Sequence, residues 1–127
     1  MPRAKKPTHQ PFEGRDPRGA FCKITADMMN SKAWALLTLQ QRGLYLHFKA
    51  KYRQKVVAGH FVSSNQDDLC FPVSEWSPLY HGNYRSFKAD MQALIDLGFI
   101  RVVADRHHIR LATIYGLDDG WQRDPPD

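Results

Sequence analysis

The stretch His81-Gly82-Asn83-Tyr84-Arg85-Ser86-Phe87-Lys88-Ala89-Asp90-Met91-Gln92-Ala93-Leu94-Ile95-Asp96-Leu97-Gly98-Phe99-Ile100 decides the fold. It reads as a capped amphipathic helix that stops at a glycine and turns into a strand. Asn83 suits the N-cap, where its side-chain oxygen takes an otherwise orphaned N–H of the first turn. Phe87, Met91, Leu94 and Ile95 recur at helical spacing with Tyr84 beside them, so one stripe is apolar. Gly98 supplies a left-handed residue to close the helix, and Phe99-Ile100 open an aromatic and β-branched run. Arg85, Ser86, Ala89, Gln92, Ala93 and Asp96 lie on the other face. What that second face touches is the functional question.

Before this helix, Leu69-Cys70-Phe71-Pro72-Val73 reads as a short apolar strand that Pro72 confines to an edge. Ser74 suits the cap of a short helix, Glu75-Trp76-Ser77-Pro78-Leu79-Tyr80, whose length Pro78 limits. Strand, short helix, glycine-bearing turn and longer helix follow the helix-turn-helix order. After it, Phe99-Ile100-Arg101-Val102-Val103-Ala104 reads as a strand and Asp105-Arg106-His107-His108 as a turn. Ile109 to Tyr115 is the returning strand, with Ile109, Leu111, Thr113 and Tyr115 alternating with Arg110, Ala112 and Ile114. A hairpin hung on the end of a helix-turn-helix is a wing. The expected fold class is therefore α+β, a helical core with a C-terminal β-hairpin wing.

Upstream, Thr38-Leu39-Gln40-Gln41 is a capping box, Thr38 reaching forward and Gln41 back. Leu37, Leu44, Tyr45, Phe48 and Tyr52 give the helix behind it a wide apolar face. Lys49, Lys51, Arg53 and Lys55 near its end complement the negative helix pole or touch phosphate. Thr25 caps an earlier helical stretch carrying Met28, Met29, Ala33, Trp34, Leu36 and Leu37, in which Asn30-Ser31 marks a break or a second turn. Phe21-Cys22-Lys23-Ile24 is a short strand or an apolar anchor. Between Gln54 and Asp68 the periodicity dissolves, and a loop is expected, with a turn of helix or a short strand near Phe61-Val62.

A chain of 127 residues with 43% hydrophobic and 12% aromatic residues suits one globular domain. Residues 1–20, broken by Pro2, Pro7, Pro11, Pro17, Gly14 and Gly19, are expected as a flexible basic extension. Residues 21–121 form the expected domain and 122–127 an acidic tail. No run of about 18 apolar residues could span a membrane. The basic start has no apolar segment behind it, so no secretory signal is expected, Cys22 and Cys70 are expected as reduced thiols, and the expected location is cytoplasmic.

The net charge of +5 is unevenly spread. Residues 1–23 hold six Lys/Arg against two acids, and residues 24–115 eleven against seven. Arg123 alone faces four aspartates beyond residue 115. A basic arm and a basic body suit a polyanion partner. Catalytic signatures are missing from the sequence. There is no glycine-rich phosphate loop, no pair of carboxylates at a plausible site and no Ser or Cys beside a base. His60 has no partner at ligand spacing, and His107 and His108, as strand neighbours, point to opposite faces, so neither metal nor cofactor is expected. An enzyme is not expected.

Residues 69–115 resemble a winged helix-turn-helix DNA-binding domain through Asn83-x-x-Ser86-Phe87-Lys88-Ala89-x-Met91-x-x-Leu94-x-x-Leu97-Gly98-Phe99-Ile100. Phe21-x-Lys23-Ile24, Ser31-Lys32-Ala33-Trp34-x-x-Leu37-Thr38 and Tyr115-Gly116-Leu117-x-x-x-Trp121 extend the likeness over residues 21–121. In that span the chain is similar to small winged-helix proteins of plasmids, phages and conjugative elements, which serve as replication initiators or relaxosome accessory factors. The resemblance implies that the first turns of the recognition helix, at Asn83, Tyr84, Arg85, Ser86 and Ala89, meet the major groove. It implies that the wing tip, at Arg106, His107, His108 and Arg110, meets the backbone or the minor groove. Here the short helix carries Pro78 where the family has a fuller helix.

Physical chemistry supports the same surface. Arg85 can bond a guanine edge bidentately, Tyr84 and Ser86 can position phosphate, and Lys88 sits on the flank as a phosphate contact. Ala89 and Ala93 are small and Asp96 is acidic, so the helix is expected to dock while helix and wing share the reading. The expected partner is double-stranded DNA, bound by a dimer or in tandem. The alternative is a winged-helix module that docks a relaxase or replication protein with little DNA binding of its own.

Overall fold

Side-chain caps divide the N-terminal half into helices. Thr25 accepts the Met28 N–H and starts α1 (Ala26–Met29), and Ser31 accepts the Trp34 N–H and starts α2 (Lys32–Leu36). At Thr38 the capping box forms in both directions. Gln41 N–H donates to Thr38 Oγ1 at 3.1 Å and Thr38 N–H to Gln41 Oε1 at 2.9 Å, opening α3 (Leu39–Lys51). The computed structural model describes residues 22–63, 65–106 and 111–123. The expected extension 1–20 and tail residues 124–127 lie outside the described residues.

Where a loop is expected after α3, the chain forms a hairpin. β1 (Gln54–Val57) and β2 (His60–Ser63) pair antiparallel, from Gln54↔Ser63 to Val57↔His60. Ala58 and Gly59 both take left-handed φ, 51° and 81°. That is the tight turn whose twist matches the flanking strands. Asn or Gly normally announces such a turn, and an alanine at its first position conceals it. Below the hairpin, Asn65 Oδ1 accepts the Arg53 N–H at 2.7 Å and Asn65 Nδ2 donates to Lys51 O at 2.8 Å, pinning the base of the arm to the end of α3.

β3 (Leu69–Cys70) is shorter than expected and gives way to α4 (Val73–Tyr80). Pro72, not Ser74, stands at the N-cap of α4, and Ser74 lies inside the first turn. Pro78 is held within the helix. His81 and Gly82, at φ 51° and 76°, form the left-handed turn into α5 (Tyr84–Asp96). Asn83 Oδ1 accepts the Ser86 N–H at 3.1 Å, as expected of the cap. At the other end Gly98 sits at φ 83° and Phe99 N–H donates to Leu94 O at 2.9 Å, closing the helix.

β4 (Ile100–Ala104) and β5 (Ile114–Leu117) follow, with a 3₁₀ turn at Gly120–Gln122. The sheet is antiparallel in the order β3-β5-β4. Leu69 pairs with Tyr115, Ile100 with Leu117 and Ala104 with Ile114, and a bulge falls at Val103. The returning strand thus starts at Ile114 rather than at Ile109. The reason is local: Arg106 Nε donates to Ala112 O at 2.8 Å and Leu111 N–H to Arg106 O at 3.2 Å, so this backbone is satisfied outside the ladder.

The architecture is α+β, with five α-helices and a three-stranded antiparallel sheet among the described residues. Two aromatic clusters fill the core. Phe99 meets Tyr45 at 5.2 Å and Trp34 at 5.9 Å and stacks on Trp121 at 6.3 Å, joining α2, α3 and the chain end. Phe87 stacks on Trp76 at 4.7 Å and on Phe71 at 5.8 Å, and Phe71 stacks on Phe48 at 5.1 Å, locking α5 to α4 and α3. Truncating one such buried ring to alanine costs about 3–5 kcal/mol. No helix among the described residues is long and apolar enough to cross a membrane.

Candidate nucleic-acid interface

The apolar stripe of α5 is spent on the core: Phe87, Met91 and Leu94 are buried. A helix so fixed on one side presents its other side rigidly. Asp90, on the flank between the two, makes the fixing specific. Its Oδ2 accepts the Tyr80 hydroxyl at 2.7 Å and its Oδ1 the Gln41 amide at 3.2 Å, so one carboxylate ties α5 to α4 and α3. Sequence reading missed this junction, because its partners lie 10 and 49 positions away and leave no local signal.

The outward face brings together most of the residues expected to meet DNA. Tyr84, Arg85, Lys88 and Ala89 are exposed and Ser86 is half-buried. Arg85 and Lys88 make no hydrogen bond or ion pair among the described residues. Both cations are thus available, which is the condition for phosphate or base contact. Asn83 serves as the helix cap through Oδ1, which leaves its amide N–H groups to donate outward. Tyr84 has a divided role. Its ring packs on Trp76 at 5.6 Å and Phe87 at 6.5 Å, yet 47% of the residue is exposed. Farther along, Gln92 Nε2 donates to Asp96 Oδ1 at 2.8 Å, so those two side chains satisfy each other.

The wing supplies less than the sequence implies. Arg106, expected at an exposed tip, is half-buried and turned back against Ala112 O and Cys70 Sγ. His107, His108 and Arg110 lie outside the described residues. At the base of the wing, Arg101 pairs with Asp67, and the Leu117 N–H donates to Gln66 O at 3.0 Å, fastening the 65–68 loop to the sheet. Nearby, Lys49, Tyr52, Gln66, Arg101, Leu117 and Asp118 line an open cleft of about 430 Å³ in which both signs of charge are present.

Titratable groups facing the core are displaced by burial. The Tyr45 and Tyr80 hydroxyls are pushed well above the ordinary tyrosine value, Tyr45 chiefly by burial and Tyr80 by burial and then by its bond to Asp90. Tyr115 moves the same way, again mainly through burial. Cys22 and Cys70 are free thiols. Among the described residues no group of three or more His, Cys, Asp or Glu side chains gathers where a metal ion could be held. Comparison of the chain with protein-family models, with curated proteins and with solved structures found no match.

Proposed function

We propose that the chain is a winged helix-turn-helix protein that binds double-stranded DNA. In this reading α5 docks in the major groove and the β4–β5 hairpin lies beside it, against backbone or minor groove. One observation carries it. Arg85 and Lys88 stand unpaired among the described residues on the outer face of a helix whose inner face is locked by Phe87, Met91, Leu94 and Asp90. A helix of thirteen residues is about 20 Å long, and the major groove, about 12 Å wide, admits it. Arg85 is then the base reader, while Lys88, the Tyr84 hydroxyl and the Asn83 amide hold phosphate. The net charge of +5 adds attraction from a distance. Arg106 stiffens the wing from within, which leaves the helix as the main reader among the described residues.

The likeness to replication-initiator and relaxosome accessory proteins favours a target site on a mobile element, used in replication, conjugative transfer or transcription control. Binding of the full chain to a duplex of random sequence, followed between about 50 and 200 mM salt, tests the core of the proposal. Affinity should fall steeply over that range as phosphate contacts release counterions. Failure to bind any duplex at the low-salt end sinks it. Selection of bound sequences from a random duplex pool, with footprinting of the winner, then yields the site.

A further inference from the structure

We propose that the outer face of α3 is a self-association surface, which pairs with the same face of a second copy about a two-fold axis near Gly43. This inference stands apart from DNA binding. The inner face of α3 holds Leu44, Tyr45 and Phe48 in the core. Opposite them Leu39, Gly43, Leu46 and Ala50 follow at intervals of four, three and four, which is one stripe on a helix. Leu39 is 81% exposed and Leu46 42%, so the stripe spends apolar surface on water.

Charge tells what can cover it. α3 carries three charged side chains, and each is drawn into the chain's own contacts. Arg42 donates to Trp34 O through Nε and a terminal nitrogen at 3.2 and 2.9 Å. Lys49 lies over the Tyr52 ring at 5.4 Å, and Lys51 pairs with Glu75 at 2.6 Å. The stripe itself carries no charge. DNA finds no cation there, and an acidic partner finds none either. Two chains of net charge +5 repel each other through most faces, but not through this one.

Shape completes the argument. Gly43 falls near the midpoint between Leu39 and Leu46. An antiparallel crossing at Gly43 therefore sets Leu39 against Leu46 of the partner subunit, and the symmetry repeats the contact, as an isologous interface requires. A Cβ placed on Gly43 would meet nothing within 4 Å, so the backbone is open to close approach at the crossing point. Beside it Gln40, Gly43, Leu44, His47, Leu79 and Tyr80 line a groove of about 200 Å³, large enough to receive an apolar side chain. Knob and hole thus lie side by side on one face.

Sedimentation equilibrium of the full chain from about 1 to about 500 μM tests this. The mass should rise from 14.7 kDa towards twice that value. Leu39→Glu alone and Leu46→Lys alone should each raise the dissociation constant about 100-fold or more, since each places an unpaired charge in the contact. The chain carrying both substitutions should recover most of the affinity, because each glutamate then meets a lysine of the partner subunit. Both positions are exposed in the monomer, and an unchanged circular dichroism spectrum confirms that the variants fold. A wild-type chain that stays at 14.7 kDa throughout overturns the proposal and leaves the face to a different protein. A dimer indifferent to both single substitutions, or a double variant without recovery, overturns it as well.

Discussion

The Tyr80 hydroxyl donates to Asp90 Oδ2 at 2.7 Å, and this short bond sets the angle between α4 and α5. The other oxygen of Asp90 holds Gln41, whose own Oε1 accepts the Thr38 N–H, so the N-terminus of α3 belongs to the same network. Replacing Asp90 by alanine leaves the buried Tyr80 hydroxyl without an acceptor, which costs about 1–3 kcal/mol. Urea unfolding should show that loss for Asp90→Ala and a smaller one for Tyr80→Phe, which removes donor and desolvation together. Equal losses would mean that the carboxylate serves Gln41 more than Tyr80.

The same hydroxyl makes stability fall in alkali. Burial and then Asp90 push the Tyr80 pKa above the ordinary tyrosine value of 10.0, and burial does the same to Tyr45. Above pH 10.0 the unfolded chain has given up these protons while the folded chain keeps them. The folded state then binds more protons than the unfolded one, so unfolding free energy declines with rising pH. The contribution is whole below the ordinary value and is lost progressively above it. Urea midpoints compared at about pH 8 and about pH 11 should drop for the wild type, and drop less for Tyr80→Phe.

Gly98 is held between two demands. Its φ of 83° is left-handed, and a Cβ there would meet Gly120 Cα and Trp121 N, each at 2.7 Å. Both neighbours are backbone and cannot swing aside. Gly98→Ala should therefore cost about 2–4 kcal/mol, combining a strained φ with a backbone clash. Because the clash displaces the segment that stacks Trp121 on Phe99, tryptophan fluorescence should change along with the unfolding midpoint. An unchanged midpoint would show that the Gly120 segment can move away without loss.

Local signals were legible and long-range pairings were not. Asn83, Gly98, Thr25 and the Thr38–Gln41 box each act within four residues, and each sits where its chemistry places it. The break at Asn30-Ser31 is equally local, Ser31 capping α2. The 54–63 hairpin escaped notice because its strands are four residues long and its turn is Ala-Gly. Ile109 to Tyr115 alternates as a strand should, yet Arg106 competes for Ala112 O and the ladder begins only at Ile114. In the candidate interface, helical spacing was enough to separate Arg85 and Lys88 from the core stripe. It could not show that Arg106 turns inward, since the acceptors are placed by tertiary pairing.

Ala58 offers a simple gain. An alanine at φ 51° bears a steric cost of about 1–2 kcal/mol that asparagine largely avoids. Ala58→Asn should favour the closed hairpin and slow amide hydrogen exchange across residues 54–63 by about fivefold, with little effect on α5. Faster exchange in the hairpin would mean that its turn relaxes in solution to a conformation suited to alanine.

Arg85 and Lys88 lie one helical turn apart, both exposed, but the proposed docking gives them different work. A guanidinium can bond two acceptors of one guanine at once, which rewards the right base over the wrong one by about 1–3 kcal/mol. An ammonium on phosphate gains the same from every sequence. Arg85→Ala should thus weaken binding to the selected site by about tenfold or more and leave random duplex less affected. Lys88→Ala should weaken both alike and lower the salt slope by about one unit. The comparison is made by titrating both variants against selected and random duplexes at two salt concentrations. Equal loss on both duplexes for Arg85→Ala would remove Arg85 as the reader and turn attention to the wing, where Arg110 and the two histidines would have to carry the discrimination.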